Sequence, residues 1–311
     1  MSLTVVGSIA FDAVKTPFGA REKMLGGSAV HFALAASFFG DVRVVGPVGD
    51  DFGASEYEVL RARGVNTDDV EHIPGGKTFF WAGEYGENLN DRETLDTQLG
   101  VFGDFAPKLS EASRACDVLF LANIQPDLQR EVRQQCAGAR FVALDSMNLW
   151  IETAPDSLRE TIAGVDAVML NDAEMRQLTA EASLLRAARE IMSWGPSAVV
   201  CKQGEYGAAL FDADGFFALP AYPLERVVDP TGAGDSFAGG LVGYLAAHPD
   251  EGIGSPLLRG AMAYGTTLGS FNVEEFGTER VQKLTGDEVS ARVEDLERMT
   301  RFDGAPVRLR G

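Results

Sequence analysis

Residues 227–240, which read Val-Val-Asp-Pro-Thr-Gly-Ala-Gly-Asp-Ser-Phe-Ala-Gly-Gly, hold the chain's most concentrated chemistry. Pro230 blocks helix upstream, and Gly232 and Gly234 free the backbone to expose successive N–H groups at the start of a helix. Such a turn can hold an anion. Asp235 falls in the first helical turn, where the dipole favours a carboxylate. Phosphoryl transfer to an alcohol needs this pairing: amides offset charge on the transferring group, and a carboxylate accepts the hydroxyl proton. Taken alone, the same residues also read as a tight turn with a charge at a helix N-terminus.

The elements that must position this segment are legible around it. Phe237, Leu241, Tyr244 and Leu245 recur at i, i+4, i+7 and i+8, which predicts a helix with one apolar face beginning near Ala233. Apolar, β-branched runs at 3–9, 42–48, 118–121, 141–144, 167–170 and 198–200 alternate with helical patterns at 28–39, 52–63, 127–136, 172–178, 183–192, 233–247 and 256–270. The alternation predicts a mostly parallel, buried sheet with helices on both faces. One region interrupts it. Residues 77–85 are rich in Phe and Trp, 86–92 are polar, and a second β-like run lies near 95–105. This pattern predicts a small antiparallel flap over a ligand, although an edge hairpin packed on the core would read the same way.

Composition narrows the partners. The 311 residues carry 27 Lys plus Arg against 46 Asp plus Glu, a formal charge of -19, so nucleic acid and anionic membranes are repelled. Cys116, Cys136 and Cys201 show neither disulfide nor metal-site spacing, which predicts a reduced, cytoplasmic protein. No basic leader and no membrane-length apolar run is present. No internal repeat or linker divides the chain, so one domain over 1–311 is expected, with a lid at about 12–20 and 77–105.

The run Asp229-Pro230-Thr231-Gly232-Ala233-Gly234-Asp235-Ser236-Phe237 resembles the C-terminal signature of the ribokinase-like, or PfkB, carbohydrate kinases. The resemblance implies a three-layer α/β/α sandwich with a mostly parallel central sheet and a small β-sheet lid. It makes Asp235 the catalytic base and Gly232, Ala233 and Gly234, with Asp235, the anion hole for the γ-phosphate. Other landmarks follow in the family's order. Residues 6–12, ending in Asp12, are similar to the first strand whose terminal Asp binds sugar hydroxyls; a carboxylate can accept two such bonds. Gly26 and Gly27, followed by His31, resemble the Gly-Gly-x-x-x-Asn motif at the substrate, with His31 in place of Asn. Neutral His also offers one donor and one acceptor, with different reach.

Asn171 and Glu174 resemble the Asn-x-x-Glu motif that organises Mg²⁺ and phosphates through water, although as a bare pattern they make a helix cap. Lys202, Gly204 and Gly207 are similar to the Lys-x-Gly-x-x-Gly turn beside the nucleotide. Thr266 and Gly277 fall in the segment that borders adenine. In potassium-activated members that segment donates carbonyls to a monovalent cation, together with Asp229 and Thr231. Asn123 follows one strand where a substrate contact is often placed, and Asp145, Asn148 and Trp150 follow the next.

The reading is an ATP- and Mg²⁺-dependent kinase acting on a hydroxyl, expected to be primary, of a sugar or sugar derivative. A nucleoside such as adenosine is the rival acceptor, with Phe79, Phe80 and Trp81 available to stack on a base. A non-catalytic metabolite-binding relative is the reading from another class, and it leaves Asp235 with its whole anion hole unexplained. A dinucleotide-binding dehydrogenase lacks its Gly-x-Gly-x-x-Gly after the first strand. A homodimer and K⁺ activation are compatible with the resemblance.

Overall fold

The computed structural model describes residues 2–302 and 304, so residues 1, 303 and 305–311 of the expected domain lie outside the described residues. Among the described residues thirteen strands run in chain order: β1 Leu3–Val6, β2 Ala10–Thr16, β3 Gly19–Gly26, β4 Val42–Val48, β5 Asn66–His72, β6 Phe79–Tyr85, β7 Arg92–Gln98, β8 Val118–Leu121, β9 Phe141–Asp145, β10 Ala167–Asn171, β11 Ala198–Lys202, β12 Ala208–Asp212 and β13 Gly215–Leu219. Among the described residues they form two sheets. The larger has the order β13-β12-β11-β10-β9-β8-β1-β4-β5 and is parallel from β11 to β5, with β12 and β13 added antiparallel at one edge.

Its central strands are continuous apolar runs because both faces are covered. Alternate residues such as Val5, Val44, Phe120 and Met169 pack against the helices Ser28–Ala36, Ala233–Ala246 and Ser255–Asn272. Their neighbours Val6, Val45, Leu121 and Val168 meet the helices Pro126–Gln135, Pro155–Ile162 and Leu184–Trp194 on the other face. The chain adds strands on one side of β1 and then returns to the other at β8. That reversal opens a crevice at the strand C-termini.

The expected strand over 3–9 ends at Val6. A Cβ on Gly7 would stand 2.6 Å from Ala122 Cβ, so β1 and β8 approach too closely there for any side chain. The helix from Ala233 also differs from its expected single apolar face. Nearly every residue from Ser236 to Ala246 is buried, because the helix lies between two others. A Cβ on Gly239 would come 2.3 Å from Phe32 O, and one on Gly240 would come 2.7 Å from Tyr264 O.

The smaller sheet has the order β3-β2-β6-β7. Its outer pairs are antiparallel and its inner pair, β2 with β6, is parallel. The second run expected near 95–105 is displaced: β7 begins at Arg92, and Gly100–Asp104 is a 3₁₀ turn. Strands β3 and β7 are polar and mostly exposed, so no alternation announced them. Among the described residues no helix is long and apolar enough to cross a membrane.

Candidate active site

The segment that joins β13 to the helix Ala233–Ala246 forms the floor of the site. Gly232 caps that helix in the left-handed region at φ 75°, which only glycine adopts without strain. Space also demands it, since a Cβ there would lie 2.3 Å from His31 Nδ1. The buried Asp229 carboxylate ties the turn down, accepting from Thr231 N and from Gly277 N, each at 2.9 Å.

Asn272, fully buried, is the hub beneath. Its Oδ1 accepts from His31 Nδ1 and from Ser236 Oγ, each at 3.0 Å, and its Nδ2 donates to Thr231 O at 2.7 Å. Burial lowers the pKa of His31, so the ring is neutral, with its proton on Nδ1 and its Nε2 without a partner among the described residues.

Asp235 stands in the first turn of this helix with partial exposure. Burial of its carboxyl, with Asp145 nearby, raises its pKa to about 7 against the pull of Lys202. Lys202 Nζ lies 2.7 Å from Asp145 Oδ2, and a Cβ on Gly234 would be 3.2 Å from that nitrogen. The ammonium therefore lies against the turn at Gly234. Burial works against its charge, but the carboxylates of Asp145 and Glu174 prevail and its pKa is raised. Asp145 itself is placed by Gln129, whose Nε2 donates to Ala122 O and Asp145 O, each at 2.9 Å, joining the ends of β8 and β9.

Asn171 and Glu174 form a reciprocal cap at the end of β10: Glu174 N donates to Asn171 Oδ1 at 2.7 Å, and Asn171 N donates to Glu174 Oε2 at 2.8 Å. Burial raises Glu174 to about 7, with Lys202 opposing. Among the described residues no group of three or more His, Cys, Asp or Glu is arranged to hold a metal ion. A Mg²⁺ ion that draws most of its oxygens from phosphate and water fits such a site, with one carboxylate at its margin.

Across the crevice, Asp12 lies on β2 and is 5% exposed. Burial first, then the charges of Asp229 and Asp235, raise its pKa to about 7. Gly26 is required beside it, because a Cβ there would be 1.9 Å from Asp12 Oδ2. Gly27, at φ 94°, would clash with Ser8 O at 2.5 Å. Ser8 and Ser28 bond each other reciprocally, Ser28 N to Ser8 Oγ at 3.0 Å and Ser8 N to Ser28 Oγ at 3.2 Å, which holds this glycine pair at the end of β1.

Asn123 is not free to turn inward. It accepts from Trp150 Nε1 at 2.9 Å and donates to Met147 Sδ at 3.0 Å. Asn148 begins a short helix.

A cleft of about 590 Å³ runs beside the turn at Ala233 and Gly234. Lys202, Gly204 and Gly207 form one wall, and Phe237, Thr266 and Val273 form another. Gly204 and Gly207 have φ of 55° and 96°, so Lys202 to Gly207 is both a hairpin connection and a cleft wall. Thr266 Oγ1 is buried without a partner among the described residues. Leu89 and Asn90, from the tip of the β6–β7 hairpin, complete the lining. Asn90 Nδ2 reaches Glu205 Oε1 at 3.4 Å.

Sequence reasoning had no signal for three of these residues. Asn272 ends a long helix, Gln129 lies on a polar helix, and Tyr85, whose hydroxyl accepts from Thr231 Oγ1 at 3.2 Å, sits among other aromatics. None forms part of a motif, and only the fold shows what each one joins.

With a cleft beside a glycine-capped helix start and a carboxylate in its first turn, the fold and site define a phosphotransferase of the small-molecule kinase class. Residues 2–283 match the family described as pfkB family carbohydrate kinase, and the chain belongs to it. The chain is 31% identical over 259 residues to the cytidine kinase of Thermococcus kodakarensis, covering 81% of this chain and 91% of that protein. The nucleoside kinase of Burkholderia thailandensis in complex with inosine superposes with a TM-score of 0.75 at 22% identity, over 94% of this chain and 97% of that one. A putative ribokinase II of E. coli in complex with ATP and Mg²⁺ gives a TM-score of 0.77 at 19% identity, over 94% and 99%. The fold is that of ribokinase, with the mostly parallel sheet and the additional small sheet that the sequence led us to expect.

Proposed function

We propose that this kinase transfers the γ-phosphoryl group of ATP to the primary hydroxyl of a nucleoside. The observation that carries the reading is the meeting of Asp12 and Asp235 across one crevice, close enough for the charge of Asp235 to raise the pKa of Asp12. Asp12 accepts hydrogen bonds from ribose hydroxyls. Asp235 takes the proton of the attacking hydroxyl. The amides of residues 232–235 and the ammonium of Lys202 hold the charge that develops on the phosphoryl oxygens. One bond forms, from the acceptor oxygen to Pγ. One breaks, from Pγ to the β,γ-bridging oxygen, whose electron pair leaves on ADP. Gly204, Gly207, Thr266 and Val273 border the nucleotide.

Glu174, with Asn171 behind it, would hold Mg²⁺ through water, and the ion would offset triphosphate charge when bound. Asp229 gathers the backbone of Thr231 and Gly277, whose carbonyls would be the ligands of a monovalent cation such as K⁺. A nucleoside is favoured over a free sugar by the relative named a cytidine kinase and by Trp81. That residue lies opposite Asp12 in the β2–β6 register and offers a flat ring to a base. Three buried, unpaired cysteines suit the cytoplasm. Light scattering decides between monomer and homodimer.

The test is ADP release with cytidine, uridine, adenosine, inosine, ribose and fructose as acceptors. A nucleoside should exceed every sugar in kcat/KM by at least about tenfold, the value of one good hydrogen bond or stacking contact. A sugar at the top of the ranking would replace this acceptor assignment.

A further inference from the structure

His31 is 2% exposed, and its side chain makes one hydrogen bond among the described residues. Nδ1–H donates to Asn272 Oδ1 at 3.0 Å, while Nε2 is buried with no partner. Chemistry settles which way the Asn272 amide points. Thr231 O can only accept, so the atom 2.7 Å from it is Nδ2, and Oδ1 is left to accept from His31 and Ser236. One ring nitrogen thus reaches, through one amide, the carbonyl that precedes Gly232.

The same ring lies flat against the turn. A Cβ on Gly232 would stand 2.3 Å from His31 Nδ1 and 2.4 Å from both Cγ and Cε1, so Gly232 rests on the ring face rather than on its edge. Both supports come from rigid elements. His31 belongs to the helix Ser28–Ala36, and Asn272 ends the helix Ser255–Asn272. Gly239 and Gly240 let these two helices approach the helix Ala233–Ala246 to backbone contact, against Phe32 O and Tyr264 O.

The direction of an amide follows from this arrangement. The Thr231–Gly232 peptide is trans, and a trans peptide carries its C=O and N–H on opposite sides. Holding Thr231 O on the buried Asn272 therefore turns the Gly232 N–H the other way, toward the half-buried side of the turn. Thr231 is tied at two further atoms, its N to Asp229 and its Oγ1 to Tyr85, but only Asn272 fixes this carbonyl. We propose that His31 is a positioning residue for phosphoryl transfer: through Asn272 it holds the Thr231–Gly232 peptide plane, and with its ring face it supports Gly232, so that the amides of the turn are aimed before the phosphoryl group arrives. Donors fixed in advance cost no reorganisation at the moment of reaction. His31 exchanges no proton. The acceptor proton still goes to Asp235 and the electron pair still leaves on ADP.

This inference rests on the kinase reading, and two measurements separate their failures. Asn at position 31 presents an amide N–H where Nδ1 stands, Gln extends to the place of Nε2, and Leu offers no donor. The first measurement needs no acceptor: calorimetric titration of Mg-ADP, with and without aluminium fluoride as a planar phosphoryl mimic, into wild type, His31→Asn, His31→Gln and His31→Leu. Mg-ADP should bind each variant within about twofold of wild type, and the aluminium fluoride complex should bind His31→Gln and His31→Leu at least about tenfold more weakly. His31→Asn should recover much of that difference. Equal losses for both ligands, no loss in any variant, or equal losses in His31→Asn and His31→Gln overturn the proposal. Should His31→Leu fail to fold, the comparison of Asn with Gln decides alone. The second measurement is turnover with the best acceptor from the screen. His31→Gln should lose at least about tenfold in kcat with acceptor KM little changed. A loss confined to acceptor KM would put the ring at the acceptor and also overturn the proposal. If wild type phosphorylates no nucleoside while the fluoride-dependent difference persists, the acceptor assignment fails and His31 stands. Wild type that binds neither ligand would overturn the kinase reading and this inference with it.

Discussion

The ammonium of Lys202, at the end of β11, meets the carboxylate of Asp145, at the end of β9, at 2.7 Å, with 18% and 6% of the two side chains exposed. A buried pair of this kind is costly to break from one side, because the surviving charge loses its partner. Lys202→Met should therefore destabilise the fold by about 3 kcal/mol, and the double variant with Asp145→Asn should recover much of that loss. Denaturant midpoints of the four proteins check it. A double variant as unstable as Lys202→Met would show that the pair is not coupled. Nucleotide affinity should fall in Lys202→Met, because the same ammonium lies against Gly234.

Asp235 must be ionised to accept a proton, and its pKa is raised to about 7. The kcat/KM of the wild-type enzyme should then climb about tenfold per pH unit below about 7 and level off above. Asp235→Asn should lower turnover by at least about a hundredfold, the low end for a general base, while retaining nucleotide affinity. Unchanged turnover in that variant would remove Asp235 from the mechanism.

In the proposed mechanism Asp12 binds the acceptor, so Asp12→Ala should weaken acceptor binding far more than ATP binding. A charge-assisted hydrogen bond is worth roughly 1.5–3 kcal/mol, or about one to two orders of magnitude in affinity. Equal losses for both ligands would mark the carboxylate as structural.

The same raised carboxyls make the free protein sensitive to pH in a definite sense. Asp12, Glu174 and Asp235 each titrate near 7 in the folded state, against about 4 when unfolded. Between those values the folded chain binds more protons than the unfolded one, so these groups make stability fall as pH rises from about 4 to about 7. At pH 8 Asp12→Asn, which removes one of these buried charges, should raise Tm by at least about 2 °C, roughly the effect of 1 kcal/mol in a chain of this size. At pH 4 the gain should vanish. A Tm lowered at pH 8 would mean that the Asp12 charge is stabilised in the folded protein.

Read by itself, the amino-acid sequence determined the layered α/β architecture and the helix that begins at Ala233 with Asp235 in its first turn. Both are encoded locally: buried parallel strands are unbroken apolar runs, and glycines before a helix leave amides exposed. It also placed seven of the helices to within a few residues, among them Asp172–Thr179 and Ser255–Asn272, but it gave none at Pro155–Ile162 or Gly286–Thr300. Only the tertiary structure decided what those elements bring together. Asn272 joins His31, Ser236 and Thr231 across 241 residues of chain, and Gln129 ties the ends of β8 and β9. Such links leave no periodicity, because each is one polar side chain meeting a backbone or ring folded in from elsewhere. The smaller sheet was legible only in part for a related reason. Its strand β7 is exposed along its whole length, so no buried face imposed an alternation. The contact of Tyr85 with Thr231 likewise exists only once the β6–β7 hairpin has formed and docked.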